Sequence, residues 1–320
     1  MTETPQKRKI PVGISSCLLG EEVRYDGGHK NARYCSRILS HYFDFRSLCP
    51  ELEAGMGVPR PAIHLREHSN GLRLITTNGD TDHTQPMDQW IQDVLPSLAD
   101  LRGYILKAKS PSCGMERIRV HNEDGEVIRR DGRGLFAQAL LEAYPLLPVE
   151  EEGRLNDSHL RENFLERVFV YDDWCRTREA GLTPSALLDF HTRHKFQLLA
   201  HCQKTYRELG PMLSNLKAEP LDDLAERYIT AFMQAMKRQI TRGDHANAMQ
   251  HLMGFLRDTM SDADRQTLNE QIDRYQQGEV PLIVPMTLLR MLQRREPVAY
   301  LQRQDYLTPY PDELGLRNHV

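Results

Sequence analysis

The sequence predicts an α/β domain built on an open, mainly parallel sheet with helices on both faces, followed by an all-α domain. Three observations carry this. Apolar runs of strand length alternate with helical patterns as far as Tyr144, a stretch rich in proline and glutamate follows, and beyond it only long helical patterns occur. The strand candidates are IPVGISS (10–16), FDFRSL (43–48), LRLITT (72–77), GYILKA (103–108) and RIRVHN (117–122). The helix candidates between them are 32–42, 87–98 and 134–144, with turn glycines at Gly27, Gly28, Gly79 and Gly125. PLLPVEEEGRLNDS (145–158) reads as a linker, which sets the domains at 1–150 and 157–320. In the second, helical patterns cover 158–180, 184–209, 221–241, 244–259, 261–277 and 285–295. Asp157 or Ser158 can cap the first, and Thr183 before Pro184 can start the second.

Composition narrows the function classes. The 320 residues are 40% hydrophobic and 27% charged, and no run approaches the roughly 18 apolar residues of a membrane span. MTETPQKRKIPVG lacks the apolar core of a signal peptide, so a cytoplasmic setting and no membrane partner are expected. Six cysteines in so long a chain do not suggest a disulfide framework; buried hydrophobes, metal ligands or nucleophiles remain. The net charge is −4, with 19 basic and 22 acidic residues up to Gly153 and 22 and 23 after it. No global basic field points to DNA, and any RNA contact requires a local patch.

Three cysteines share one position. Cys17 in ISSCLLG, Cys49 in RSLCPELEAGMG and Cys113 in AKSPSCGME each follow a strand candidate by a few residues, with glycine or proline close behind. The carboxyl ends of parallel strands point to one edge, where ligands bind, so these thiols can meet there. Cys35, Cys175 and Cys202 fall inside helical patterns. Three thiolates suit zinc, copper(I) or an iron–sulfur cluster and leave one coordination position open, whereas the C-x-x-C pairs of structural zinc are absent. Unrelated buried cysteines are the alternative. Glu51 lies two residues after Cys49, where it can serve as acid or base. Ser110 and Ser112 flank Pro111 ahead of Cys113, as hydrogen-bond donors or turn formers. Arg24 and Asp26 belong to VRYDGGHK, a surface turn or a substrate-facing loop.

Taken together, ISSCLLGEEVRYDG, CPELEAGMGVPRP and KAKSPSCGMERIRV resemble the TudS-domain thiouracil desulfidase family over residues 8–148. The resemblance implies a 4Fe–4S cluster with three cysteine ligands, Cys17, Cys49 and Cys113, and one open iron. It also implies catalytic roles for Glu51 and for a serine before Cys113, Ser110 ahead of Ser112. Arg24, Asp26 and Arg60, the last closing the second motif, are assigned to substrate binding. DFHTRHKFQLLAHCQKTYRELG (189–210), HLMGFLRDTMSDADRQTL (251–268), PLIVPMTLLR (281–290) and YLQRQDYLTPYP (300–311) resemble the YbgA-type helical domain. The fusion is similar to desulfidases that convert 4-thiouridine in tRNA to uridine, which makes tRNA the expected partner of a monomer or weak oligomer. His194, Lys195, Lys204 and Arg207, with His191 and His201 nearby, are the RNA-binding candidates, and MKRQITRG and RMLQRRE are further basic patches. Two other readings stay open: a desulfidase of free thiouracil or thionucleosides whose helical domain binds protein, and a non-enzymatic RNA-binding iron–sulfur sensor.

Overall fold

The computed structural model describes residues 8–216 and 219–320. The segment 1–7, where a signal peptide was not expected, lies outside them. The chain divides at Asn156/Asp157 into two units.

In the first unit, β1 (Ile10–Ser15), β2 (Phe43–Leu48), β3 (Ile63–His68), β4 (Gly71–Thr76), β5 (Tyr104–Leu106), β6 (Ile118–His121), β7 (Val127–Gly132) and β8 (Val149–Glu151) form two sheets. The first has the order β2-β1-β5-β8, and every pair in it is parallel. Ser15 sits opposite Leu48, and Leu106 opposite Glu151, so the carboxyl ends of all four strands lie along one edge. The chain leaves β1 toward β2 on one side and returns through β5 on the other, which places a topological switch point at β1 and β5. Val12, Ile14, Tyr104, Ile105 and Leu106 are fully buried, the continuous apolar runs expected of strands covered on both faces. α1 (Thr84–Val94) and α2 (Leu135–Ala143) supply Trp90 and Phe136, whose rings pack against each other; Phe136 also meets Tyr104 edge-on.

The second sheet, β4-β3-β6-β7, is built from two antiparallel hairpins joined by a parallel β3–β6 pair. The candidates at 72–77 and 117–122 therefore belong to this sheet, and β3, β7 and β8 add to the five expected strands. β8 lies inside the stretch read as a linker. Three consecutive glutamates suggest a solvated segment, yet Glu150 and Glu151 are buried and bonded as an edge strand. The expected helix at 32–42 is a short π turn, Tyr34–Ile38, followed by a 3₁₀ turn, Leu39–His41.

The second unit is helical: α3 (Ser158–Glu179), α4 (Pro184–His201), α5 (Gln203–Met212), α6 (Leu221–Met236), α7 (Arg242–Gly254), α8 (Asp262–Gln277), α9 (Ile283–Arg295) and α10 (Ala299–Gln302). The Asp157 side chain caps α3 by accepting from Leu160 N–H, and Thr183 caps α4 ahead of Pro184. The helix expected over 184–209 breaks at Cys202, whose backbone is extended (φ −155°, ψ 99°). Leu252, Leu268, Ile272, Met286 and Tyr306 are central to its core. Among the described residues, no helix is long and apolar enough to cross a membrane.

Candidate active site

Each cysteine loop begins where a parallel strand ends. Past β1, a 3₁₀ turn over Ser16–Leu19 carries Cys17. Past β2, Cys49 donates its N–H to Glu53 Oε1 (2.9 Å) and accepts at its carbonyl from Glu53 N–H (2.9 Å), which closes the turn. Past β5, Lys107 N–H donates to Ser15 Oγ (2.9 Å), tying the ends of β1 and β5 together.

The Cys113 loop is held from two sides. The N-terminus of α2 has unpaired N–H groups, and the loop carbonyls accept them: Leu135 donates to Pro111 O (3.2 Å), and Phe136 and Ala137 to Ser112 O (3.1 and 3.2 Å). So close an approach requires glycine at 134, since a Cβ there would lie 2.4 Å from Ser112 O. On the other side stand the glutamates of β8. Glu151 Oε1 accepts from Met115 N–H (2.8 Å); Glu152 binds Lys107 Nζ (2.5 Å) and Ala108 N–H (2.7 Å). Glu150 pairs with Arg154 (2.6 Å), which reaches Glu116 (3.1 Å). The acidic run that looked like a linker is the back wall of the loop.

Cys17, Cys49 and Cys113 all line one cavity of ≈ 230 Å³, together with Arg24, Tyr25, Glu51, Arg60, Lys107, Lys109 and Ser110. All three thiols are free, with Cys17 and Cys113 buried and Cys49 half-buried. Burial, with a contribution from Cys49, pushes the Cys17 thiol up to about 11; burial likewise raises Cys49 and Cys113. Such thiols keep their protons until a cation displaces them. Among the described residues, the only groups of three or more His, Cys, Asp or Glu ligand atoms within 4.8 Å of one another involve Asp173, His194 and Asp305. Cys17, Cys49 and Cys113 are not among them. Three soft thiolates brought to one cavity from three separate strand-end loops are a donor set that fits an iron–sulfur cluster. Cys35 is buried apart from this cavity, its thiol pushed up to about 12 by burial.

Glu51 is fixed through both carboxylate oxygens. Its Oε2 accepts from Arg60 Nη2 (2.5 Å) and Nε (3.2 Å), and its Oε1 from Ser112 Oγ (2.6 Å) and Ser110 Oγ (3.2 Å). The serines divide the work. Ser112 is fully buried and does not line the cavity, so it anchors the carboxylate. Ser110 lines the cavity and also accepts from Cys113 N–H (3.1 Å).

Of the residues assigned to substrate binding, Arg60 lines the cavity and Asp26 does not. Arg60 is buried, and its remaining nitrogen donates to Val23 O (3.0 Å) and Gly57 O (2.8 Å); with four of its five N–H groups engaged, it positions Glu51. Asp26 does not line the cavity; it accepts from Gly28 N–H (3.1 Å) and sits 3.4 Å from Arg24, which does line it. Lys107 and Lys109, both cavity-lining, were not singled out, although KAK directly ahead of SPSC was the signal.

In the second unit, His194 is 3% exposed, so it cannot form part of an RNA-facing surface. Its Nε2 faces Asp173 Oδ2 (2.8 Å) and its Nδ1 faces Gln197 Oε1 (2.6 Å). Gln197 donates to Glu166, which also faces the His201 ring (3.1 Å). Burial opposes ionisation of Glu166, but His201, Arg317 and Gln197 outweigh it and bring its pKa down to about 2. The Asp173–His194–Asp305 trio needs no metal, because the Arg193 guanidinium bonds both carboxylates (2.7 and 3.0 Å). Lys195 is half-buried, its ammonium 4.7 Å from the Tyr300 ring centroid. Lys204 and Arg207 are exposed on α5. In MKRQITRG, Arg238 is committed to Asp244 and the His201 carbonyl, and in RMLQRRE, Arg290 and Arg295 pair with Asp312 and Asp264. Three of the six cations in these patches are thus paired.

A family model described as 2-thiouracil desulfurase matches residues 12–152, and one described as a protein of unknown function (DUF1722) matches 195–311. The chain is 33% identical over 165 residues to the uncharacterized protein YbgA of Escherichia coli (strain K12), covering 51% of this chain and 98% of that protein. It is 30% identical over 151 residues to the uncharacterized protein YbbK of Bacillus subtilis (strain 168), covering 45% and 97%. A solved structure described as a [4Fe-4S]-dependent thiouracil desulfidase TudS shares 29% identity over 46% of this chain and 94% of that one, with a TM-score of 0.38. The chain belongs to the 2-thiouracil desulfurase family through its first domain and to the DUF1722 family through its second.

Proposed function

We propose that the first domain is an iron–sulfur desulfidase that hydrolyses a thiocarbonyl of a thiolated pyrimidine to a carbonyl and releases sulfide, with 4-thiouridine in tRNA as its substrate. The observation that carries this reading is one cavity lined by three thiols from three strand-end loops, with a doubly anchored carboxylate beside them. Cys17, Cys49 and Cys113 would hold a 4Fe–4S cluster. Bound there, the cluster would supply one iron without a protein thiolate, a soft Lewis-acid site for the substrate's sulfur.

The chain's own residues account for the rest. Water adds to the thiocarbonyl carbon, and Glu51 is the carboxylate placed to take its proton. Arg60 and Ser112 hold that carboxylate at one orientation, so little reorganisation accompanies the transfer. Ser110, bonded to Glu51 and open to the cavity, presents a hydroxyl to the reacting ring. The reaction consumes water, releases sulfide and moves no electrons overall. Lys204 and Arg207 are the exposed cations by which the helical domain would contact RNA. The family match of the first domain supports the chemistry, and the cytoplasm is the setting in which tRNA is met.

The test is anaerobic purification with iron and sulfide quantitation, then turnover of thiouracil and nucleoside analysis of treated tRNA. Cys→Ala at 17, 49 or 113 is expected to abolish the chromophore and turnover together, and Cys35→Ala to leave both. Full activity in an iron-free preparation would refute the reading; turnover of thiouracil with no change in tRNA would restrict it to free bases.

A further inference from the structure

A second cavity, ≈ 530 Å³, opens beside the first. The two share Ile63, Lys109 and Pro111. It lies along the second sheet, where β3 contributes His64, β6 contributes Arg119 and His121, and β7 contributes Arg130. Arg117 from the end of the Cys113 loop joins them. Leu65 and Val120, the neighbours of His64, Arg119 and His121 along their strands, are fully buried, so the period-two alternation turns the cations outward.

The charge is one-sided. No carboxylate lines the groove. Among the described residues, Lys109, Arg119 and Arg130 make no ion pair, and Arg117 has only Glu116 at 3.8 Å. Arg129, next along β7, is by contrast tied to Glu67 (3.2 Å) and Asp131 (2.9 Å). In a chain of net charge −4, three unpaired cations and one weakly paired cation in a single groove are not background.

Two further features point to a ligand. Among the described residues, Lys109 and Arg117 are the non-glycine residues in the left-handed region, with φ of 60° and 58°. That conformation costs about 1 kcal/mol at each, and the chain accepts it at both ends of the Cys113 loop, where both side chains line the groove. The rings of His64 and His121 stack 4.4 Å apart, and His64 Nε2 is buried without a hydrogen-bond partner. Burial, His121 and Arg66 lower the His64 pKa, so this imidazole adds a neutral aromatic face to the groove beside the cations.

We propose that this groove carries the sugar–phosphate backbone of a single RNA strand past Lys109, delivering one base to the cysteine-lined cavity. The substrate of the first domain is then a nucleotide within a strand. The cations come from a loop and two strands and do not converge on one point, an arrangement that suits successive phosphates better than a lone anion. The proposal rests on the desulfidase reading of the adjoining cavity.

The experiment uses the full chain and its R119E/R130E variant. Binding of a fluorescein-labelled oligouridylate is followed by anisotropy at several salt concentrations, and thiouracil turnover is measured in parallel. The variant is expected to bind about tenfold more weakly at low salt. Its slope of log K against log salt should be smaller by about 1.4, from two lost contacts on a single strand. Thiouracil turnover should not change. Unaltered affinity and slope would overturn the proposal. So would displacement of the oligouridylate by inorganic phosphate beyond the effect of matched chloride, which would make the groove a site for a single phosphate. Absence of both thiouracil turnover and loss of 4-thiouridine from tRNA with the wild-type protein would refute the desulfidase reading instead, and the binding data would then decide the groove alone.

Discussion

Replacing Arg60 by lysine keeps the charge beside Glu51 and removes the fork that orients it. Arg60 serves Glu51 Oε2 with two nitrogens, at 2.5 and 3.2 Å, and spends the third on Val23 O and Gly57 O. An ammonium is a point donor and cannot span both sides. Losing one charge-assisted bond at a site shielded from water costs about 2 kcal/mol. If the misplaced carboxylate is felt in the transition state, kcat falls about 30-fold. KM for thiouracil and the iron content should stay near wild type, because the Arg60 hydrogen bonds go to Glu51, Val23 and Gly57 and none to a thiol. The assay is anaerobic steady-state turnover, normalised to iron. An R60K protein with full iron and kcat within about twofold of wild type would refute the positioning role, since a 2 kcal/mol loss predicts far more. Loss of iron with kcat per cluster unchanged would show that Arg60 supports the fold and not the proton transfer.

Other consequences are equally open to measurement. Gly134→Ala places a methyl against the Ser112 carbonyl, and about 1–3 kcal/mol of stability with part of the iron loading should be lost, read by thermal melting and iron stoichiometry. His194→Ala should lower stability by about 1–3 kcal/mol, whereas K204E/R207E should weaken tRNA binding without altering the melting temperature; chemical denaturation and filter binding separate the two. Acid sensitivity of the helical domain follows from its neutral histidines. Burial, Lys195 and His194 lower the His191 pKa to about 4, and burial and Arg317 lower that of His245 to about 3. Between pH 6.5 and about 4 the unfolded chain binds more protons, so stability falls as pH falls through that window, by about 3 kcal/mol from His191 alone. Urea unfolding in a W90F background, where Trp174 reports, should show this slope, and His191→Gln should flatten it.

The sites most legible in the sequence are those whose neighbours carry a clear period. Cys17, Cys49 and Cys113 each follow an apolar strand run, and the parallel sheet brings their loops to one edge. Glu51 was readable from its distance to Cys49, but its anchors were not, because Arg60 reaches it through a fold of the loop that no spacing encodes. The glutamates at 150–152 failed as a signal because a charge run is usually solvated; here each finds a donor, Glu150 in Arg154, Glu151 in Met115 N–H and Glu152 in Lys107. On α4 the density of histidines drew attention to the wrong property. Residues 187, 190, 194, 197, 198 and 201 repeat at core-face spacing and are all buried, so the helical period already assigned His194 and His201 to the interior. The basic groove was hidden for the opposite reason: its cations are scattered over 109–130, and only the pairing of β3, β6 and β7 collects them.

The way the Cys113 loop is clamped also constrains how the protein is made. The segments that hold it, α2 and β8, both lie downstream of it in the chain. While residue 113 is leaving the ribosome, the carbonyls that α2 will grip have no donors, and Lys107 has no Glu152 to meet. A nascent chain therefore owns three thiols but no site, unlike a C-x-x-C pair that can capture metal within a few residues of synthesis. Whatever delivers iron and sulfide to this cavity works on a finished domain.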